Sequence, residues 1–250
     1  PLPSWNLWED RKGVHTFTCA SIVGGLRAAA KFARLFNENS RAEKYERVAD
    51  VMVAGMRKHL YSKSLGRFLR ALQYHDGDYL DSDQTVDASL FGTFYFGAFA
   101  ADDEMVIGTM NAIEELLTAK TDTGGIGRFQ NDGYMRISAA DGIPGNPWFI
   151  CTLWLADHKI AIAKTEKELQ KAYEILQWTV ERALPSGVLA EQVNPLDGSP
   201  VSVAPLTWSH STFVATTMSY LRKLAEFSPC EACQRPRFHP DRRAFTNQSL

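Results

Sequence analysis

Two stretches of this chain, VDASLFGTFYFGAFA at 86–100 and NPWFICTLWLADHKIAIA at 146–163, are apolar nearly all the way round a helical wheel. A helix of that kind has to be buried on several sides. These two stretches alternate with segments whose apolar residues share one face only. In 41–62, Tyr45, Val48, Ala49, Met52, Val53, Met56 and Leu60 follow the i, i+3, i+4, i+7 rhythm. In 165–183, Leu169, Ala172, Tyr173, Leu176 and Val180 do the same, and Glu166, Lys167, Lys171 and Glu174 occupy the solvent face. Further helices are expected at 14–37, 102–119 and 207–227, while strand signals are weak throughout. The result is an all-α chain of seven helices in which buried and amphipathic members suggest an inner and an outer layer.

The links between helices are of two kinds. Those near 38–40, 101 and 164 are very short, and short links join antiparallel neighbours. Those at 63–85, 120–145 and 184–206 are long and rich in Gly, Asp and Pro. Loops of that length without structure of their own are usually functional. If successive helices run antiparallel, every long loop emerges at the same end, together with the N-terminal stretch 1–13. The expected architecture is a toroid of helical hairpins, or part of one, with one smooth face and one elaborated face.

The net charge of −2 gives no sign of a nucleic-acid or membrane-surface partner. No run approaches the roughly 20 apolar residues of a membrane span. No signal peptide is visible, which favours a cytoplasmic location, and the start at Pro1 without Met is what a chain beginning inside a longer protein would show. Cys19 and Cys151 lie in apolar helical contexts and read as small buried hydrophobes rather than a disulfide framework. Cys230 and Cys233 form a C-x-x-C with His239 nearby, which could be half a zinc site. The surrounding polar segment 228–250, with its Pro and Arg residues, reads instead as a disordered tail. No cofactor or metal is expected.

The chemistry-capable residues collect on the long loops. WNLWED at 5–10 supplies Glu9 and Asp10 beside Trp5 and Trp8. GGIGRFQNDGYMR at 124–136 supplies Arg128, Asp132 and Tyr134, and GNPWF at 145–149 places Trp148 at a helix start. AEQVNPLDGSPVSVAPLTWSH at 190–210 holds Glu191 among prolines, glycines and turn formers, with Trp208 and His210 behind it. Aromatic faces stack on sugar rings, charged groups read hydroxyls, and two opposed carboxyl groups can serve as general acid and general base on a glycosidic bond. Each residue also has a plainer reading. Trp8 and Trp148 suit a core, Arg128 suits a structural pair with Asp132 or another acid, Asp10 and Asp87 suit helix caps, and Glu191 suits a solvated loop.

Three segments in order, WNLWEDRKGVHTFTCA, GRFQNDGYM followed by GNPWFICTLWLA, and LAEQVNPLDGSPVSVAPLTWSH, resemble the catalytic domain of the family 15 glycoside hydrolases, the glucoamylase-like enzymes. The resemblance runs from residue 4 to about 225. It implies an (α/α)6 barrel, here only its last seven helices, and hydrolysis of terminal α-linked glucose with inversion. It implies that Glu9 is the general acid and Glu191 the general base. Arg128 matches an arginine that contacts the sugars, Asp10 an acidic neighbour reaching toward the leaving-group sugar, and Trp8, Trp148 and Trp208 aromatic positions of the pocket. An acid at Glu9 has to hold its proton near neutral pH, and desolvation by Trp5 and Trp8 is the expected cause. The helix count agrees: six helices separate the two acidic loops and one follows.

The chain departs from that pattern in two places. The first half of the barrel, with five helices and an Arg-Asp pair gripping the terminal glucose, has no counterpart here, so residues 1–227 are expected to be a C-terminal half that is inactive without the N-terminal half of the same domain. The tail 228–250 does not resemble the family. The substrate implied is an α-glucan, an oligosaccharide or trehalose. The alternatives are a non-catalytic carbohydrate-binding or regulatory helical domain, and a helical scaffold without ligand.

Overall fold

The structure is a computed structural model that describes residues 1–75 and 78–228. Among the described residues there are seven α-helices: α1 (Thr16–Leu35), α2 (Asn39–His59), α3 (Gly92–Tyr95), α4 (Glu104–Leu117), α5 (Phe149–Ile162), α6 (Glu166–Glu181) and α7 (Thr207–Phe227). Apart from Ser228, the tail expected at 228–250, with Cys230, Cys233 and His239, lies outside the described residues.

Local chemistry sets the helix ends. Helix α1 stops in a Schellman motif: Asn37 turns left-handed at φ +61°, and the N–H groups of Glu38 and Asn37 reach back to Ala33 O and Arg34 O at 2.8 and 3.0 Å. Helix α4 starts where the Asp103 carboxylate accepts from Met105 N–H at 2.9 Å, and α6 where Thr165 Oγ1 accepts from Glu168 N–H at 3.2 Å. Glu168 returns the contact by accepting from Lys164 N–H at 2.7 Å, a variant of the capping box.

Helix α5 is the buried helix its composition demands. Phe149, Ile150, Leu153 and Ala156 are fully enclosed, and His158 is 1% exposed. It packs against α6, α7 and the turn at 88–91, where Trp154 stacks on Phe91 with centroids 4.0 Å apart and planes at 6°. The expected helix over 86–100 is different. It is a 3-10 turn, Ala88–Phe91, running into the one-turn α3. Asp87 caps it by accepting from Ser89 N–H at 2.8 Å, and Gly97, at φ +71°, ends it. Ala88, Ser89, Leu90 and Phe91 are buried, but Tyr95 is 52% exposed. A continuous apolar run reports burial without reporting length of helix. The one-residue link expected at 101 is accordingly the longer segment 96–103.

The weak strand signals conceal short strands. β1 (Ser4–Trp5), β2 (Lys12–His15), β5 (Ala71–His75) and β6 (Asp78–Asp83) form one antiparallel sheet in the order β1-β2-β5-β6, while β3 (Tyr61–Ser62) pairs with β4 (Arg67–Phe68) and β7 (Gln192–Val193) with β8 (Pro200–Val201). Strands of two to six residues are too short for alternation to reveal. All of them lie before α1 or in the long loops, which the backbone ties together. Thr16 N–H reaches Arg70 O, Ala88 N–H reaches Arg128 O, Trp148 N–H reaches Ile126 O and Val193 N–H reaches Pro147 O, at 2.7–3.0 Å. The expected gathering of the long loops and the N-terminal stretch is therefore observed.

The helical array has apolar edges that nothing among the described residues covers. Phe32, Leu35 and Phe36 at the end of α1 are 64%, 75% and 73% exposed, and Val214 on α7 is 60% exposed. No helix among the described residues is long and apolar enough to cross a membrane.

Candidate active site

The turn that carries Glu9 is braced by Asn6, itself buried. Asn6 N–H donates to Arg11 O at 2.9 Å and Asn6 O accepts from Glu9 N–H at 3.1 Å. The Asn6 side chain donates to Asp10 Oδ1 at 2.7 Å and accepts from Asp10 N–H at 3.0 Å. Closing this turn puts Glu9 at φ +58°, a left-handed conformation that non-glycine residues adopt at a cost of order 1 kcal/mol and that clusters at functional sites. Asp10 caps no helix; it completes this turn and lies 3.7 Å from Arg11.

Glu191 is held from two loops, its own between α6 and α7 and the one between α4 and α5. Its N–H donates to Val203 O at 2.9 Å. Gln192, fully buried, donates to Glu191 Oε2 at 3.0 Å and accepts from Asn146 Nδ2 at 2.8 Å. Asn146, 1% exposed, also donates to Met135 O at 2.8 Å and accepts from Ile137 N–H at 3.0 Å. The loop beyond is stiffened by β7 and β8 and by Asn194 and Asp197, which accept from Leu196 and Ser199 N–H groups, both at 2.9 Å. His210 belongs to this scaffold, since its Nε2 accepts from Leu189 N–H at 3.0 Å. Glu191 is not a solvated loop residue but a half-buried carboxylate with one oxygen already bound.

Arg128 pairs with Asp132 through two bonds, Nε to Oδ2 at 2.7 Å and Nη2 to Oδ1 at 2.8 Å. Its guanidinium lies over four rings: Trp148 at 4.7 Å, Tyr134 at 4.9 Å, and Trp8 and Phe129 at 5.2 Å. Burial pulls its pKa down, but the Asp132 bonds and charge outweigh that, and the net shift is upward. Arg128 is thus a structural partner of Asp132, and it also lines a cavity.

That cavity, about 670 Å³, is lined by Trp8, Glu9, Asp10, Arg128, Trp148, Glu191 and Trp208, the seven residues that the family resemblance implied. Asp132 and Tyr134 join them. The aromatics differ in role. Trp148 is 4% exposed, and its ring is flanked by Arg128, Trp8 and Tyr134, so it is wall rather than free platform. Trp208, 37% exposed, offers accessible ring surface. Trp5 does not line the cavity; it is 54% exposed beneath Lys12, so its expected part in desolvating Glu9 is not seen. Sequence reasoning missed Gln192, Asn146 and Trp154, whose ring is 6.0 Å from Trp8 and 5.8 Å from Trp208. For Gln192 the available signal was its place beside Glu191; for Asn146 and Trp154 there was none short of the fold.

A helical hairpin array whose loops bring two carboxyl groups, an arginine and tryptophans to one cavity has the groups that a sugar-binding cavity requires. Comparison with known proteins makes this specific: the chain belongs to glycosyl hydrolases family 15, which matches residues 1–218. It is 30% identical over 222 residues to the uncharacterized glycosyl hydrolase MJ1610 of Methanocaldococcus jannaschii, covering 85% of this chain and 33% of that one. It is 25% identical over 237 residues to a glucoamylase from Clostridium sp., covering 86% and 33%. It is 24% identical over 224 residues to a trehalase from Mycolicibacterium smegmatis, covering 88% and 30%. Among solved structures it is similar to a bacterial glucoamylase complexed with acarbose, with a TM-score of 0.73 at 24% identity, covering 86% of this chain and 35% of that one. The fold is thus the (α/α)6 toroid, of which the described residues hold seven helices. The chain spans about a third of the length of the curated relatives it matches.

Proposed function

We propose that residues 1–227 form the carboxylate-bearing C-terminal half of an inverting α-glucoside hydrolase, with 228–250 a polar tail. The observation that carries this reading is that Glu9 and Glu191, on loops at opposite ends of the sequence, line one cavity together with Arg128 and Trp208. Glu9 is the general acid that protonates the leaving glycosidic oxygen. Glu191 is the general base: Gln192 occupies Oε2, leaving Oε1 to accept a proton from water. An inverting pair requires a gap of roughly 6.5–9.5 Å between the carboxyl groups. Arg128, Asp10, Trp8, Trp148 and Trp208 bind the sugars, and the chemistry needs no cofactor. The relatives named as glucoamylase and trehalase support an α-glucan, an oligosaccharide or trehalose as substrate.

Glu9 is exposed on this chain, whereas an acid that works near neutral pH needs a dry setting. The N-terminal half of the domain supplies the cover, packing on the open edges of α1 and α7, and residues 1–250 by themselves turn over no substrate. The test uses the chain joined to that half. Glu9→Gln and Glu191→Gln should each lower hydrolysis by several orders of magnitude while sugar binding survives, and proton NMR should show the β-anomer of glucose released first. Unchanged turnover in either variant, or initial α-anomer from an α-linked substrate, rejects the assignment. The exposure of Glu9 also favours a second reading, a non-catalytic carbohydrate-binding domain. Calorimetric titration of the 250-residue chain with glucose analogues separates the two, since binding at micromolar strength without turnover supports the second.

A further inference from the structure

We propose that Asp87 is a positioning residue that fixes the orientation of Trp8 in the cavity wall, and that the buried Asp83–Arg70 pair behind it ties this setting to the β5–β6 hairpin. Trp8 Nε1 lies 3.1 Å from both carboxylate oxygens of Asp87, a residue 79 positions away that is fully buried. An indole turns about two torsions. A fixed acceptor presenting both oxygens to its one N–H removes that freedom. Asp87 is itself anchored by Ser89 N–H at 2.8 Å.

Behind Asp87, Arg70 Nη1 lies 3.6 Å from Oδ2, too far for a hydrogen bond but close for two charges in a dry interior. That Nη1 has no hydrogen-bond partner, so Asp87 is the charge it faces. The Nε of Arg70 donates to Asp83 Oδ2 at 2.7 Å, and Asp83 closes β6. Arg70 and Asp83 are 3% and 8% exposed. A line of enclosed charge therefore runs from the hairpin to Asp87 and on to Trp8. From there the wall continues to Arg128, 5.2 Å from the Trp8 ring, and to Trp208 at 6.2 Å. The next residue in the chain is Glu9, held left-handed at φ +58°; the positioning of Trp8 does not depend on the reading of Glu9 as the acid.

The experiment is proton–nitrogen NMR of the 250-residue chain carrying Phe32→Ser and Phe36→Ser, which remove exposed rings remote from the cavity and keep it monomeric, with Trp8→Phe assigning one of its six indole signals. In the parent, the Trp8 indole proton should resonate at low field and exchange slowly with solvent. Asp87→Asn keeps the shape and one acceptor oxygen; it should move that signal upfield and speed its exchange at least tenfold. Asp83→Asn touches neither Trp8 nor Asp87, and should move the same signal in the same direction by less. A Trp8 indole that exchanges in the parent as fast as a free indole, or one unmoved in Asp87→Asn, overturns the positioning. A signal unmoved in Asp83→Asn overturns the tie to the hairpin. None of these readouts needs turnover, so a failure of the catalytic assignment would register separately, in Glu9→Gln.

Discussion

Two residues carry opposing demands that stability measurements can expose. Glu9 sits left-handed at φ +58°. Glycine accepts that conformation freely, and the penalty for other residues is about 1 kcal/mol. Glu9→Gly should therefore raise the urea midpoint by an amount equivalent to roughly 0.5–1 kcal/mol, and Glu9→Ala should not; equal midpoints would show that the turn holds no strain. Asp157, on α5, has a carboxyl pushed up by burial to about 7. The unfolded carboxyl ionises near 4, so between about 4 and 7 the folded state binds more protons, and by linkage stability falls as pH rises through that window. Asp157→Asn removes the penalty of ionising a buried carboxyl. It should stabilise by roughly 2–4 kcal/mol at pH 8, each tenfold change in proton affinity being worth about 1.4 kcal/mol, and by little at pH 4. A gain independent of pH would mean that ionisation is not the cause.

At the scale of elements, the sequence was most informative where length and periodicity agreed. Helix α5 shows its all-round burial, and α2 and α6 show one-sided faces at Ala49 and Met56 and at Leu169, Ala172 and Leu176, because a helix of 14–21 residues samples its wheel several times; Val48, Tyr173 and Val180, expected on those faces, lie at their margins and are exposed. The segment 86–100 misled because its apolar residues are needed by neighbours, Phe91 by Trp154 for example, whatever backbone presents them. The residues that line the cavity were legible because they stand in compact motifs on loops. The geometry that fixes them, such as the chain from Met135 O through Asn146 and Gln192 to Glu191, joins segments that only the fold brings together. Two glycines show the same division. In a helix interior, Gly→Ala ordinarily gains about 1 kcal/mol. Gly55, on α2, has open space where a Cβ would point, and Gly55→Ala should realise that gain. Gly108, on α4, would place a Cβ 2.1 Å from Gly66 O in the β3–β4 turn. Backbone must move there, and overpacking costs about 1–3 kcal/mol, so Gly108→Ala should be net destabilising. Identical propensities predict equal signs; urea titration of both variants decides whether packing reverses one of them.

At the scale of the whole molecule, the α1 edge decides how the chain behaves in water. Phe32, Leu35 and Phe36 stand at i, i+3 and i+4 on one side of α1, each more than 60% exposed. Contiguous apolar patches above a few hundred Å² are uncommon on monomeric surfaces and mark places where other protein packs. In a toroid of helical hairpins, an uncovered apolar helix end is where the next hairpin belongs. The nearby arginines are already engaged, Arg34 with Glu46 at 2.6 Å and Arg41 with Glu38 at 2.6 Å. The 250-residue chain should therefore self-associate at micromolar concentration and bind a hydrophobic dye. Replacing Phe32 and Phe36 together by Ser should suppress both effects and leave the helical circular dichroism unchanged, because neither ring belongs to the enclosed core. Sedimentation velocity gives the direct measurement. A parent that sediments as a monomer at all concentrations would mean that the edge is covered from within the same polypeptide, and the case for a separate packing partner on α1 would be lost.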